Sequence, residues 1–156
     1  MAYQKLQAGR AWSVYKSDNT DIPDIGTAGP TGTTTSGSAT QLIDNTATFL
    51  TNGVKLGMIV VNTTDGTQTT VIGIENDTTL TVANNIFAVT AKAYEIYGGV
   101  QEGAVLYIGT AGDLKVETVA GDEVTFVGVN TGAFFPVHVR KVFATGTSAS
   151  NIIALW

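Results

Sequence analysis

His138 is the chain's single histidine and there is no cysteine, so chemistry at a nucleophile or a metal has few places to start. As a general base, His138 would need a nucleophile and an orienting acid within reach, and the sequence offers no recognisable pair. As a metal ligand it lacks a second His or Cys at ligand spacing. It lies in an alternating apolar/polar run with Arg140 on the same face, and reads as a structural or interface residue. The acids Asp113, Glu117, Asp122 and Glu123 do not follow the loop pattern of a calcium site. Asp113 and Asp122-Glu123 flank a predicted hairpin, where solvated turn acids are the ordinary outcome. Gly109-Thr110-Ala111-Gly112 is glycine-rich but leads into a strand, whereas a phosphate cradle needs a helix N-terminus. Arg140 and Lys141 are adjacent, and neighbours in a regular strand point to opposite faces, so they are not expected to form a patch. The sequence therefore predicts no catalytic residue, cofactor site or metal site.

The elements that would carry these side chains are strands. Val105–Ile108, Leu114–Val119, Val124–Val129, Phe134–Ala144 and Ile152–Trp156 are short apolar or alternating runs. Glycine turns cut them apart at Ala120-Gly121-Asp122 and Asn130-Thr131-Gly132. Near the start, Trp12 and Val14 share one strand face, and Ala11, Ser13 and Tyr15 the other. No window shows a sustained helical period with caps, and β-branched residues and glycine dominate. The prediction is an all-β chain.

At 156 residues, the length suits one domain or one domain with a satellite. Residues 26–40, rich in Gly, Ser and Thr, read as a flexible link. Residues 39–97 read as a separate unit of five short strands, with Asp65-Gly66 forming a two-residue type I′ hairpin turn, and Gly98-Gly99 returning the chain to its first unit. The expected organisation is a discontinuous core of 1–27 plus 98–156, a β-sandwich or jelly-roll-like unit, with 28–97 inserted as a small SH3-like β-barrel.

Only 13% of residues are charged, below the usual quarter, and Thr, Ser, Asn and Gly stand in their place. Such a surface suits a protein held in an assembly. The net charge of −5 gives no general attraction to phosphate, so direct nucleic-acid binding is not expected. The first residues show no signal-peptide pattern, and no apolar run approaches the roughly 20 residues of a membrane helix.

Two stretches carry a family likeness. Ser17-Asp18-Asn19-Thr20-Asp21-Ile22-Pro23 is one. The other runs from Leu106-Tyr107-Ile108-Gly109-Thr110-Ala111-Gly112-Asp113-Leu114 through Val124-Thr125-Phe126 and Phe135-Pro136-Val137 to the closing Ala144–Trp156. Together they resemble small virion proteins of tailed bacteriophages and gene-transfer agents, including head-spike base and capsid decoration proteins. The match covers roughly residues 11–25 and 104–156. The closing Thr-Gly-Thr-Ser-Ala-Ser-Asn-Ile-Ile-Ala-Leu-Trp run is its most specific part. Short family members pass almost directly from the Ile-Pro to the Leu-Tyr strand, and the module between them here implies an added contact.

The resemblance implies a capsid decoration or cement protein, made in the host cytoplasm and carried on the capsid surface of the virion. Its partners would be the major capsid protein, or another virion protein, and further copies of itself as a homotrimer. It would have no enzymatic activity and no membrane. The alternatives are a base or adaptor for a head spike, fibre or tail, and a carbohydrate-binding β module. A polysaccharide-cleaving version of the last would need paired carboxylates beside an aromatic groove. The residues expected at interfaces or in packing are Trp12, Phe135, His138, Arg140, Ile152, Ile153, Leu155 and Trp156. A terminal strand ending in Trp156 would fray unless paired and packed.

Overall fold

A computed structural model describes residues 8–25, 28–98 and 103–156. No helix occurs among the described residues, and the chain is all-β. It divides into two compact units, Met1–Asp18 with Glu102–Trp156, and Asn19–Gln101. Strand β1 (Ala11–Ser13) opens the first unit. The second unit holds β2 (Ala28–Thr33), β3 (Gln41–Ile43), β4 (Ile59–Asn62), β5 (Thr67–Asn76), β6 (Thr79–Val82) and β7 (Ala93–Tyr97). The chain then completes the first unit with β8 (Ala104–Thr110), β9 (Gly112–Thr118), β10 (Glu123–Val129), β11 (Ala133–Val142) and β12 (Ser150–Leu155).

In the first unit the six strands form one antiparallel sheet, ordered β1-β12-β8-β11-β9-β10. β11 makes the sheet bend. Ala133–Phe135 and Val139 pair with β8, and Val139, Lys141 and Val142 pair with β9. The register shifts between Phe135 and Val139, where Pro136 has no N–H to give a ladder, so the irregularity falls at a place a proline tolerates. Phe126 of β10 lies opposite Leu114, beyond the β9 residue that Val142 faces. Phe135 lies further back along β11, about 23 Å from Val142 on a straight strand. Yet the Phe126 and Phe135 rings meet at 4.4 Å. The sheet has folded over on itself, giving a sandwich-like layering whose interior holds Leu106, Ile108, Leu114, Val116, Phe135, Ile152 and Ala154, all buried.

The second unit is a six-stranded sheet, β2-β7-β4-β5-β6-β3. It curls until its ends approach: the Thr35 N–H donates to the Ile43 carbonyl at 2.9 Å, and Ser36 bridges Ile43. Register shifts in β5 at Val71/Gly73 and Ile74/Asn76 supply the bending that irregular pairing gives a strand. Leu42, Phe49, Val60, Val71, Leu80, Phe87, Tyr94 and Ile96 fill the inside.

Residues 39–97 hold the five expected strands, β3 to β7. Three expectations change. The link expected to be flexible contains β2, paired with β7; its glycines serve close approach. A Cβ on Gly32 would lie 2.5 Å from the Tyr94 hydroxyl, and one on Gly29 3.1 Å from the Ile96 carbonyl oxygen. Residues from Asn19 onward pack with the second unit, where the Gln68 side-chain amide donates to the Thr20 and Asp21 carbonyls, each at 3.1 Å. The Asp65-Gly66 turn is longer than a type I′ pair, since Asn62 faces Thr67. The buried Asn62 side chain organises it, its Oδ1 accepting the N–H groups of Thr64 and Asp65, each at 3.0 Å. Gly26, Thr27 and Gly99, which belong to the expected link and return, lie outside the described residues.

Candidate functional site

The polar centre of the first unit is Glu117, which is buried on β9. Lys141 donates to its Oε2 at 2.8 Å, and Arg140 donates to its Oε1. Neighbouring residues of a regular strand could not both do this. β11 advances two residues from Val139 to Lys141 while β9 advances one, from Thr118 to Glu117. This one-residue bulge turns both side chains towards one acid. The expectation that Arg140 and Lys141 diverge is thereby corrected, because it assumed an unbroken strand. The Lys141 ammonium, opposed by burial and assisted by the Arg140 charge, holds the Glu117 carboxyl below its ordinary value. Beside it, the Lys115 ammonium sits 4.3 Å from the Phe143 ring centre and 3.1 Å from Glu123.

Three of the four acids weighed as a calcium site thus have separate tasks: Glu117 and Glu123 hold cations, and Asp113 Oδ1 accepts the Gly128 N–H at 2.9 Å. No group of three or more His, Cys, Asp or Glu side chains suited to a metal occurs among the described residues. His138 is exposed on β11. Its backbone carbonyl accepts the Val119 N–H at 3.1 Å.

The closing run is held by the other end of the same unit. Asp18 accepts the Thr145 N–H at 2.8 Å and the Thr145 hydroxyl at 2.7 Å, and these bonds, the backbone one foremost, lower its carboxyl pKa. Lys16 donates to the carbonyls of Thr147 and Ala149 at 3.1 and 3.2 Å. Gly146 turns with φ 87°, a backbone region open to glycine. β12 then runs between β1 and β8, so the last strand is internal to the sheet. Ile152 and Ala154 are buried, while Ile153, Leu155 and Trp156 are half-buried. The Trp156 N–H donates to the Arg10 carbonyl at 3.1 Å. Trp12, also half-buried, stacks edge-on against Tyr15 at 5.2 Å.

Two exposed surfaces stand out, and of the residues that form them only Ile153 is among those the sequence predicts at an interface. One is β10, an edge strand exposed along most of its length, with Val127 80% exposed. A register shift between Phe126 and Val129, with Gly128 at φ 67°, places Val127 there. The other is the outer face of the sheet. Ile153, Tyr107 and Phe134 stand opposite one another across β12, β8 and β11. Phe134 is 61% exposed, and its ring lies 5.3 Å from that of Tyr107. The available signal was that β8 and β12 are almost continuously apolar, the pattern of strands covered on both faces.

No family model, curated protein or solved structure matches the chain.

Proposed function

We propose that this chain is a structural virion protein of a tailed bacteriophage, a decoration or cement protein that binds the outer surface of the major capsid lattice and stabilises the head. The reading rests on the likeness of residues 11–25 and 104–156 to such proteins. One structural observation supports it above the others: the exposed edge strand β10. It offers a free strand side and the apolar groups Val124 and Val127, which are 38% and 80% exposed. From Val124 to Val139 the chain carries no Asp, Glu, Lys or Arg. Soluble proteins commonly guard such edges with charge, and a protein that ends its life in a lattice has a use for an unguarded one.

Quantitative mass spectrometry of purified virions tests the proposal. A copy number in fixed proportion to the major capsid protein supports it. A few copies per particle would instead assign the chain to a spike, fibre or tail base. Absence from the particle would end both readings.

A further inference from the structure

We propose that Asn52, between β3 and β4, is a site of spontaneous covalent modification, where the side-chain amide is lost as ammonia and the main chain is rerouted through isoaspartate. Asn52-Gly53 is the one place in the sequence where an asparagine precedes a glycine. Asparagine is among the thermally labile residues. The nitrogen of a following glycine, with no Cβ beside it, is the least hindered backbone nucleophile, and every other asparagine here precedes a residue that has a side chain. Asn52 and Gly53 are both exposed, and a Cβ on Gly53 would meet nothing within 4 Å, so water and base reach the reacting atoms. The comparable pair Asp65-Gly66 is held differently. Lys92 and Asn62 donate to the Asp65 carboxylate at 2.7 and 2.9 Å, and a carboxylate kept anionic is a poor electrophile.

In the reaction the Gly53 nitrogen attacks the Asn52 Cγ. A C–N bond forms, the Cγ–Nδ2 bond breaks, and the Gly53 proton leaves with the nitrogen as ammonia. Water then opens the cyclic imide at either carbonyl, giving aspartate or isoaspartate. Only isoaspartate adds a methylene to the main chain, and the fold makes that addition matter. Gly53, at φ 73°, closes an isolated turn. Its N–H donates to the Leu50 carbonyl at 3.0 Å, and the Val54 N–H donates to the Phe49 carbonyl at 2.9 Å. This is the paired closure with which a left-handed glycine ends a helical turn, and it delivers Val54 to the same buried core as Phe49. The Gly53–Leu50 bond joins two exposed residues, so it opens locally and frees the nucleophile. Both closing bonds span the Asn52–Gly53 link. An extra methylene there breaks them and draws Val54 out of the core of the second unit.

The test is to age the purified full chain in warm, mildly alkaline buffer and follow it by peptide mapping with mass spectrometry. Isoaspartate is counted by enzymatic methyl transfer from a labelled methyl donor, with Asn52→Asp as the control that cannot lose an amide at this position. The expected result is that the Asn52 peptide gains the mass of an amide-to-acid exchange before any other asparagine peptide does, and takes up the methyl label. The isoaspartate fraction, separated by ion exchange, should unfold at a lower urea midpoint than Asn52→Asp, which has the same charge and an unaltered main chain. An Asn52 peptide that stays unchanged, or converts after another asparagine peptide, overturns the inference. So does a product that is aspartate alone, or an isoaspartate fraction with the urea midpoint of Asn52→Asp.

Discussion

The Tyr94 hydroxyl donates to Asp44 Oδ2 at 2.8 Å, joining β7 to the turn after β3 inside the second unit. Both residues are buried at 1% exposure. Burial pushes the Asp44 carboxyl up. Bonds from the Thr46 hydroxyl and N–H, from Tyr94 and from the Thr33 N–H outweigh that effect, and its pKa falls below the ordinary 3.8. Burial and then the adjacent carboxylate raise the Tyr94 phenol above its ordinary 10. Gly32 leaves the room for this pair, since a Cβ there would lie 2.6 Å from Asp44 Oδ2.

Tyr94→Phe removes one donor from a buried carboxylate and is expected to cost about 1–3 kcal/mol. Urea denaturation of the variant and the parent measures the loss. Because the folded pKa of Asp44 is depressed, its contribution is complete above the unfolded value of 3.8 and fades as pH falls through the lower folded value. Asp44→Asn should therefore flatten the acid limb of the stability curve. An unchanged acid limb would show that Asp44 does not couple folding to protons.

The Glu117 cluster gives a parallel prediction in the first unit. Glu117→Gln leaves Lys141 and Arg140 without the carboxylate they converge on. The expected cost is about 1–3 kcal/mol, moderated because the Arg140 side chain is 40% exposed and water screens that half of the contact. The parent's contribution is complete above the unfolded value of 4.5 and is lost as pH falls through the depressed folded one. Thermal melts from neutral to acid pH should converge for parent and variant at the acid end. Curves that stay parallel down the whole series would remove Glu117 from the account.

Strand positions were legible in the sequence wherever alternation and glycine turns agreed. The last five strands lie within a few residues of the bounds the sequence predicts. What escaped depended on distant partners. β2 looked like a linker because Ala-Gly-Pro-Thr-Gly-Thr has no apolar period, yet its glycines let the backbone close on Tyr94 and Ile96. The convergence of Arg140 and Lys141 came from a bulge that depends on how β11 meets β9, and no local pattern records it. The apolar end at Ile152–Trp156 was recognised as needing cover. The structure supplies part of that cover from β1 and β8 in the same chain.

Ala91 has φ 60°, in the left-handed region where a side chain costs about 1–2 kcal/mol. It is exposed, and its N–H donates to the Thr34 carbonyl at 2.9 Å, so the backbone is held there without help from its methyl group. Ala91→Gly removes the steric penalty and adds about 0.5–1 kcal/mol of unfolded-chain entropy. The expected result is a net gain of up to about 1 kcal/mol in the urea denaturation of the full chain. A loss of stability would mean that the strain is relieved in some other way.

Removing Ile153–Trp156 tests the place of the closing strand. Those residues pair with Ala11–Ser13 on one side and Val105–Tyr107 on the other, so the deletion opens the middle of the sheet. It also discards several apolar side chains, each worth roughly 1.5–3 kcal/mol when fully buried, against a typical domain stability of about 5–15 kcal/mol. The first unit should lose its structure while the second, whose strands pair only among themselves, keeps its own. Hydrogen exchange read by mass spectrometry separates the two. Amides of β8 and β9 should exchange freely in the truncated chain, and those of β4 and β7 should stay protected. Trp12, the one tryptophan left, should emit as a solvated residue. Protection retained across β8 and β9 would show that the closing strand is an accessory to the first unit and not its centre.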